Sequence, residues 1–306
     1  MGKGVDTEMK VSVVVPSRGD PKTLKRCISS ILDQAHNSYE VLVIDGSKHA
    51  PGKKSSMKNL WKDPRVRYIH EEFFSMSGLR NRGIMESRSE IIMMTGADCE
   101  VPRDWISRMT GPIMAGEDIV QGGSTISSGG FWSRALKGPA EDRNTESSRR
   151  RYTCHVDTGN LAIRKKTLID VGMFDRHLRN MEDVDLGIRF GRYGFGILYL
   201  DGVDVVRHCD NRLKGLFLAG VEKGKWLNFV YSMNKRGVDK KGDSMFKTLT
   251  LSNFLLFFPS TVAVLFRRGP SAFIHEFVEG TGWCIGILVG EFGKRRFLDS
   301  IRANYY

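Results

Sequence analysis

The chain has 306 residues, 41% of them hydrophobic and 27% charged, and its 47 Lys plus Arg against 35 Asp plus Glu leave a net charge of +12. That balance excludes a disordered or fibrous polypeptide and allows one large domain, or one domain with an appendage. The positive excess points to an anionic partner, so nucleic acid, nucleotide phosphates and acidic membrane surfaces are the classes to weigh.

The first ten residues, MGKGVDTEMK, hold no apolar run, so no secretory signal is expected. VSVVV at 11–15 is a β-branched run broken only by Ser12, the pattern of a strand buried on both faces. In the following PSRGDPKTLKRCISSIL, Asp20 is placed to cap a helix and Pro21 suits its first position. Leu24, Cys27, Ile28, Ile31 and Leu32 then mark one helical face. YEVLVID (39–45) and VRYIH (66–70) are expected as the second and third strands, 78–87 as a helix, and EIIMMT (90–95) as a fourth strand. Strands alternating with helices predict an α/β architecture: a doubly wound, mostly parallel, Rossmann-like sheet.

Ligands of such sheets bind beyond the carboxyl ends of the strands. PSRGD, DGS and GADCE all follow strands, so three polar clusters are predicted to converge on one crevice. QGGSTISSGG (121–130) and the polar, basic stretch to Tyr152 are expected to form a mobile loop. NMEDVDLGIRFGRYGFGILYL (180–200) predicts a helix, a glycine stop near Gly194, then a strand.

Beyond His208 the chain becomes helical and basic-aromatic, which places a domain boundary there: 1–208 and 209–306. The second part carries 15 basic against 8 acidic residues. Its apolar stretches, LSNFLLFFPSTVAVLF (251–266) and FIHEFVEGTGWCIGILVGEF (273–292), are interrupted by polar residues and flanked by Lys and Arg. That pattern suits helices lying in a membrane interface. A packed helical appendage or a dimer contact is the alternative. The five cysteines, Cys27, Cys99, Cys154, Cys209 and Cys284, are odd in number and include no CxxC. A disulfide framework or zinc knuckle is therefore not expected, and a reducing cytoplasm fits.

In their order and spacing, VSVVVPSRGDPKTLKRCISSIL, EVLVIDGS, SGLRNRGI, IIMMTGADCEVP, TGNLAIRKKTLIDVGMFD and MEDVDLGIRFGRYGFGILYLDGVDVVRH resemble the family-2 glycosyltransferases, inverting enzymes with the GT-A fold. The resemblance covers roughly residues 10 to 208. It implies a nucleotide-sugar donor, with Pro16, Ser17 and Arg18 touching base and ribose and Asp45 contacting the nucleobase. Arg80 and Asn81 match the family's Arg-Asn-x-Gly, which brings a guanidinium to nucleotide or phosphate oxygens.

GADCE takes the place of the family's Asp-x-Asp element. A departing sugar diphosphate needs charge compensation, and a divalent cation held by carboxylates supplies it. The resemblance thus implies Mg²⁺ or Mn²⁺ on Asp98, with His208 as a further ligand. Gly96 stands where the family has its first acid, and Glu100 is a possible helper. In MEDVDL, the resemblance makes Asp183 the base that takes the acceptor's hydroxyl proton and Glu182 an acceptor contact. Within Arg149–Arg151, Arg150 would close over the donor diphosphate or meet an acceptor phosphate.

The implied partners are a nucleotide sugar, a glycan or polyprenyl-linked acceptor and an anionic membrane surface, with a peripheral location on the cytoplasmic face. UDP, GDP and dTDP donors stay open. A non-catalytic relative also stays open, because of Gly96. A nucleotidyltransferase would need a Gly-rich basic loop that PSRGDPKTLKR matches poorly. Against nucleic acid, no RNP-type, helix-turn-helix or finger motif is present.

Overall fold

The structure is a computed structural model that describes residues 11–18, 20–48, 57, 59–71, 75–127, 151–153, 155–208, 213–234, 261–266 and 270–305. By internal contacts these residues group into two compact units. One holds those up to Thr125, Arg151–Arg176 and Leu186–His208; the other holds Ile126 and Ser127, His177–Asp185 and those from Leu213 onward.

The first unit is built on one mixed sheet. Among the described residues its strands are β1 (Val11–Ser17), β2 (Tyr39–Asp45), β3 (Val66–His70), β4 (Ile91–Met94), β5 (Cys99–Glu100), β6 (Ile119–Ile126), β7 (Arg151–Thr153), β8 (Leu161–Arg164) and β9 (Ile197–Arg207). The order is β3-β2-β1-β4-β8-β6-β9-β5, with β7 paired to β9. The four predicted strands are present and parallel, while β8 runs antiparallel to β4 and to β6.

Alternation along β1 explains the layers. Val11, Val13 and Val15 pack in one cluster with Leu24, Cys27, Ile28 and Ile31 of helix α1 (Pro21–Leu32) and with Trp105 and Ile106 of α3 (Trp105–Met114). Val14 faces the other way, among Leu79 and Ile84 of α2 (Met76–Glu86), Leu168 of α4 (Lys165–Asp170), and Leu186 and Phe190 of α5 (Glu182–Arg192). Both faces of the strand are buried, and Ser12, the polar residue within the valine run, is satisfied there by donating its hydroxyl to Glu40 Oε1 at 2.7 Å. Each such side chain contributes roughly 1.5–3 kcal/mol of transfer free energy. The capping expectation holds at atomic level: the backbone N–H of Lys22 donates to Asp20 Oδ1 at 2.9 Å and Pro21 opens the helix.

Proline inside a central strand needs an explanation. Odd residues of β1 face β2, since Val11 N donates to Ser38 O and Ser17 O accepts from Gly46 N. Pro16 therefore turns its nitrogen towards β4, whose ladder has already ended at Met94 opposite Val14. No ladder hydrogen bond is lost. The sheet is parted between β1 and β4 at its carboxyl edge, which is the switch point of the strand order.

In the second unit, helices α6 (Leu213–Asn234) and α7 (Pro270–Tyr305) pack backbone to backbone. A Cβ on Gly220 or Gly224 would strike the main chain of Glu279 or Trp283, and one on Gly282, Gly286 or Gly290 that of Phe217, Val221 or Lys225. The contacts advance together along both helices, so the pair is parallel. Lys223 Nζ meets Glu279 Oε1 at 2.5 Å beside this seam. Ala272–Gly290 is long and apolar enough to cross a membrane by length and composition, and little of it is buried. The predicted stretch 251–260 and the basic loop 128–150 lie outside the described residues.

Candidate active site

The register places the ends of three strands side by side. Ser17 lies opposite Asp45 across β1 and β2, and Thr95 N donates to Val14 O, so the loop Thr95–Asp98 leaves β4 next to them. The start of β8, Leu161, pairs with Met94 and brings the turn Asp157–Asn160 to the same edge. Strand β9 ends at Arg207, opposite Cys99 of β5.

Asp45 is 1% exposed, and its carboxylate is already engaged. The Tyr68 hydroxyl donates to Oδ2 at 2.7 Å, the Ser47 hydroxyl donates to Oδ2 at 3.0 Å, and the Ser47 N–H donates to Oδ1 at 3.0 Å. Burial, then the bond to Asp45, pushes the Tyr68 phenol far up, so it stays a donor. Tyr68 also packs on Trp61 with ring centroids 4.8 Å apart. Pro16 and Ser17 are buried in β1, whereas Arg18 is exposed just beyond it. Arg80 donates from Nη2 to the Thr158 hydroxyl at 2.9 Å and lies over the Phe174 ring at 5.4 Å. Asn81 is a brace: its amide donates to Phe174 O at 2.7 Å and accepts from Phe174 N at 3.0 Å. Expected as a substrate contact, it spends its amide on the loop beside Arg80, because that loop needs its main-chain groups satisfied.

The GADCE loop is tied from below. Cys27 Sγ–H donates to Gly96 O at 3.3 Å, Cys99 N donates to the same oxygen at 3.0 Å, and Cys99 Sγ–H donates to Asp98 Oδ1 at 3.6 Å. Burial first, then nearby Asp98, pushes the Cys99 thiol up to about 12, and burial raises Cys27 likewise. Both are neutral donors, not thiolates. A Cβ on Gly96 would stand 2.5 Å from Asp98 Oδ1, so the surviving carboxylate lies over the residue where the family's first acid would be. His208 N donates to Asp98 O at 2.8 Å, and His208 Nε2 meets Glu100 Oε2 at 3.1 Å.

These donors bear on the implied cation. Among the described residues no three His, Cys, Asp or Glu side chains are grouped to hold a metal ion. One carboxylate over Gly96 and a neighbouring Glu–His pair do not make a closed protein cage. They do fit an oxygen-loving divalent ion that completes its shell from substrate phosphates and water.

The acids of the MEDVDL segment belong to the second unit. Glu182, Asp183 and Asp185 occupy the first turn of α5. Glu182 and Asp185 are buried, and Asp183 is the more accessible. Met181, just before them, has φ +63°, a left-handed conformation that costs of order 1–3 kcal/mol for a side-chain-bearing residue. Its side chain packs with Leu178, Trp226, Phe229 and Val230, which hold the turn in place. Arg149 and Arg150 lie outside the described residues; Arg151 stacks over Tyr199 at 4.2 Å and pairs with Asp201 at 3.5 Å.

Sequence reasoning missed Tyr68, Thr158, Asp157 and Arg207. Tyr68 was within reach of a period-two argument: it pairs with Val43 on β2 and so stands diagonal to Asp45 on the same face. The others are joined only by the fold.

A mostly parallel sheet whose polar strand ends meet at the switch point defines the class, an α/β fold of the GT-A glycosyltransferase type. The model of glycosyl transferase family 2 matches residues 12–172, over half of the chain, and the chain belongs to that family. It is 24% identical over 177 residues to the GalNAc(5)-diNAcBac-PP-undecaprenol beta-1,3-glucosyltransferase of Campylobacter jejuni, covering 56% of this chain and 57% of that protein. It is 21% identical over 221 residues to the O-antigen biosynthesis protein RfbC of Myxococcus xanthus, covering 65% of this chain and 17% of that one. The chain thus spans less than two thirds of either relative. In structure it is similar to the mannosyltransferase PcManGT from Pyrobaculum calidifontis, solved with GDP-Man and Mn²⁺. There the TM-score is 0.63 at 14% identity, over 90% of this chain and 86% of that chain.

Proposed function

We propose that the chain is an inverting, cation-assisted glycosyltransferase that moves a sugar from a nucleoside-diphosphate sugar to a glycan or polyprenyl-linked acceptor. Residues 1–208 act as the nucleotide-sugar and catalytic domain and 209–306 as an extension. The observation that carries this reading is the meeting of Ser17, Asp45 and the Asp98 loop at one sheet edge, in a chain of this family.

In this reading Pro16, Ser17, Arg18 and Asp45 form the nucleoside side of the site. Arg80, steadied by Thr158 and Phe174, offers its guanidinium to phosphate oxygens. Asp98 and His208 would hold a Mg²⁺ or Mn²⁺ ion together with the diphosphate, and that ion would neutralise the departing phosphates. Support comes from the Pyrobaculum mannosyltransferase, whose structure holds GDP-Man and Mn²⁺. Asp183 removes the acceptor's hydroxyl proton as its oxygen attacks the anomeric carbon; the C–O bond to the diphosphate breaks with inversion. Its accessibility beside buried Glu182 and Asp185 supports that choice. Glu182 orients the acceptor, and Arg150 contacts a phosphate.

The Campylobacter relative's name places its acceptor on undecaprenyl diphosphate, which supports a lipid-linked acceptor here. The extension would then rest on the anionic cytoplasmic face of a membrane, α7 towards the lipid. A thermal-shift screen of nucleotide sugars with and without Mn²⁺ tests the reading: a bound donor raises the melting temperature by mass action. No response to any UDP, GDP or dTDP sugar would sink it.

A further inference from the structure

The turn Asp157–Asn160 carries more polar ties than four residues need to reverse direction. Asp157 N donates to Gln121 Oε1 at 2.6 Å, and Asp157 Oδ2 accepts from the Ser124 hydroxyl at 2.5 Å. Asp157 Oδ1 accepts from Gly159 N at 2.8 Å and from the Arg207 guanidinium. Fully buried Asn160 accepts from Trp105 Nε1 at 2.8 Å and donates to Gly123 O at 2.7 Å and Val203 O at 2.6 Å. The turn is a rigid body fastened to β6, β9 and α3.

Arg207 is the link with consequences beyond the turn. On one side it grips Asp157, next to Thr158, which receives Arg80. On the other side its chain neighbour His208 is bonded to Asp98. Gly159 makes the grip possible, because a Cβ there would collide with Arg207 Nη2. The pair is shielded, the Asp157 and Arg207 side chains being 19% and 32% exposed, so salt screens it less than a surface pair.

We propose that Arg207 is a positioning residue that sets the distance between Arg80 and the Asp98–His208 strand end, and so tunes the site to a diphosphate. This rests on the reading that these residues hold the donor phosphates. Arg207 itself touches Asp157, not substrate.

Two variants break the contact in different ways. Arg207→Ala removes the cation; Gly159→Ala keeps every charge and pushes the guanidinium aside. Hydrogen exchange of the full chain, followed by mass spectrometry, needs no substrate. Both variants are expected to speed exchange of the turn amides by about tenfold while the β1 and β2 amides keep their protection. The double variant should fall well short of the sum of the two single effects, because both changes remove one contact and the added Cβ otherwise meets only Asp157 Oδ1, at 3.0 Å. Unchanged exchange, or additive effects, would overturn the clamp. If Arg207→Ala fails to fold, Gly159→Ala decides alone.

Calorimetry with UDP, GDP and dTDP and their monophosphates in Mn²⁺ tests the tuning. The wild-type chain is expected to prefer diphosphate to monophosphate, and each variant to lose about tenfold of that preference. Equal weakening of both would make Arg207 a structural residue and overturn the proposal. If the wild type binds no nucleotide, the donor reading fails, and the tuning proposal falls with it, while exchange still tests the clamp.

Discussion

His208 donates its backbone N–H to the carbonyl of Asp98 at 2.8 Å, across 110 positions of chain, and its ring meets Glu100 at 3.1 Å. The last residue of the predicted domain is therefore fastened to the loop that replaces the family's paired acids. Asp98→Ala is expected to weaken Mn²⁺-dependent UDP or GDP binding by at least about tenfold, since even partners behind a metal ligand cost 10–100-fold when removed. Gly96→Ala should act the same way more weakly, because its Cβ would press on Asp98 Oδ1. Calorimetric titration with and without Mn²⁺ checks both; a nucleotide affinity indifferent to the metal in all three proteins would move the cation elsewhere.

Asp183→Asn should leave nucleotide binding intact and lower transfer by about 10²–10⁴-fold, since shape stays and proton acceptance goes. Single-turnover kinetics with the donor found by thermal shift provides the measurement. Near-normal turnover would hand the base role to Glu182 or Asp185.

Tyr39 and Tyr68 should resist ionisation. Burial raises both phenols above 10, and the bond to Asp45 adds to the effect at Tyr68. A folded-state pKa above the unfolded one means stability that is complete below about pH 10 and lost as pH rises beyond it. An ultraviolet titration should show both phenols ionising only as the chain unfolds. Tyr68→Phe should remove one of the two late ionisations and free a lone pair on Asp45. A titration curve unchanged by Tyr68→Phe above pH 10 would contradict the placement of Tyr68 against Asp45.

Gly286 sits against Val221 O, so Gly286→Leu must force α6 and α7 apart. The expected cost is about 1–3 kcal/mol, the usual range for overpacking. Thermal unfolding followed by circular dichroism checks it, and an unshifted transition would show that the two helices do not pack through this seam.

The extension is expected to bind anionic liposomes, and salt should weaken that binding without abolishing it. Charge attraction is screened, whereas apolar contact through Ile285, Leu288 and Val289, all exposed on α7, is not. Co-sedimentation at low and high salt is the measurement. A full-length chain that ignores such vesicles would make the extension a packing element.

Local pattern was enough for the elements that depend only on their own residues. VSVVV, YEVLVID and VRYIH are rich in β-branched and aromatic residues, the composition of sheet strands, and Asp20 with Pro21 is the pattern of a helix start. The motif order over roughly residues 10 to 208 named the family, whose model matches residues 12–172. Asp45, Arg80 and Asp98 entered as site candidates through the resemblance, each at a motif position that follows or joins a regular element.

What those side chains touch lay beyond the chain's local order. Whether Asp45 is poised or spent depends on Tyr68, 23 residues away, and Asn81 braces Phe174 over a separation of 93. Arg207 and Asp157, 50 residues apart, meet only because β6 runs beside β8 and β9 runs beside β6. The parallel seam of α6 and α7 depends on which glycines face each other, and composition is silent on that. Propensity and periodicity act over a turn or a strand. Side-chain pairing is decided by packing between distant segments, and the reach of a hydrogen bond, about 3 Å, leaves little tolerance for a register that sequence alone cannot specify.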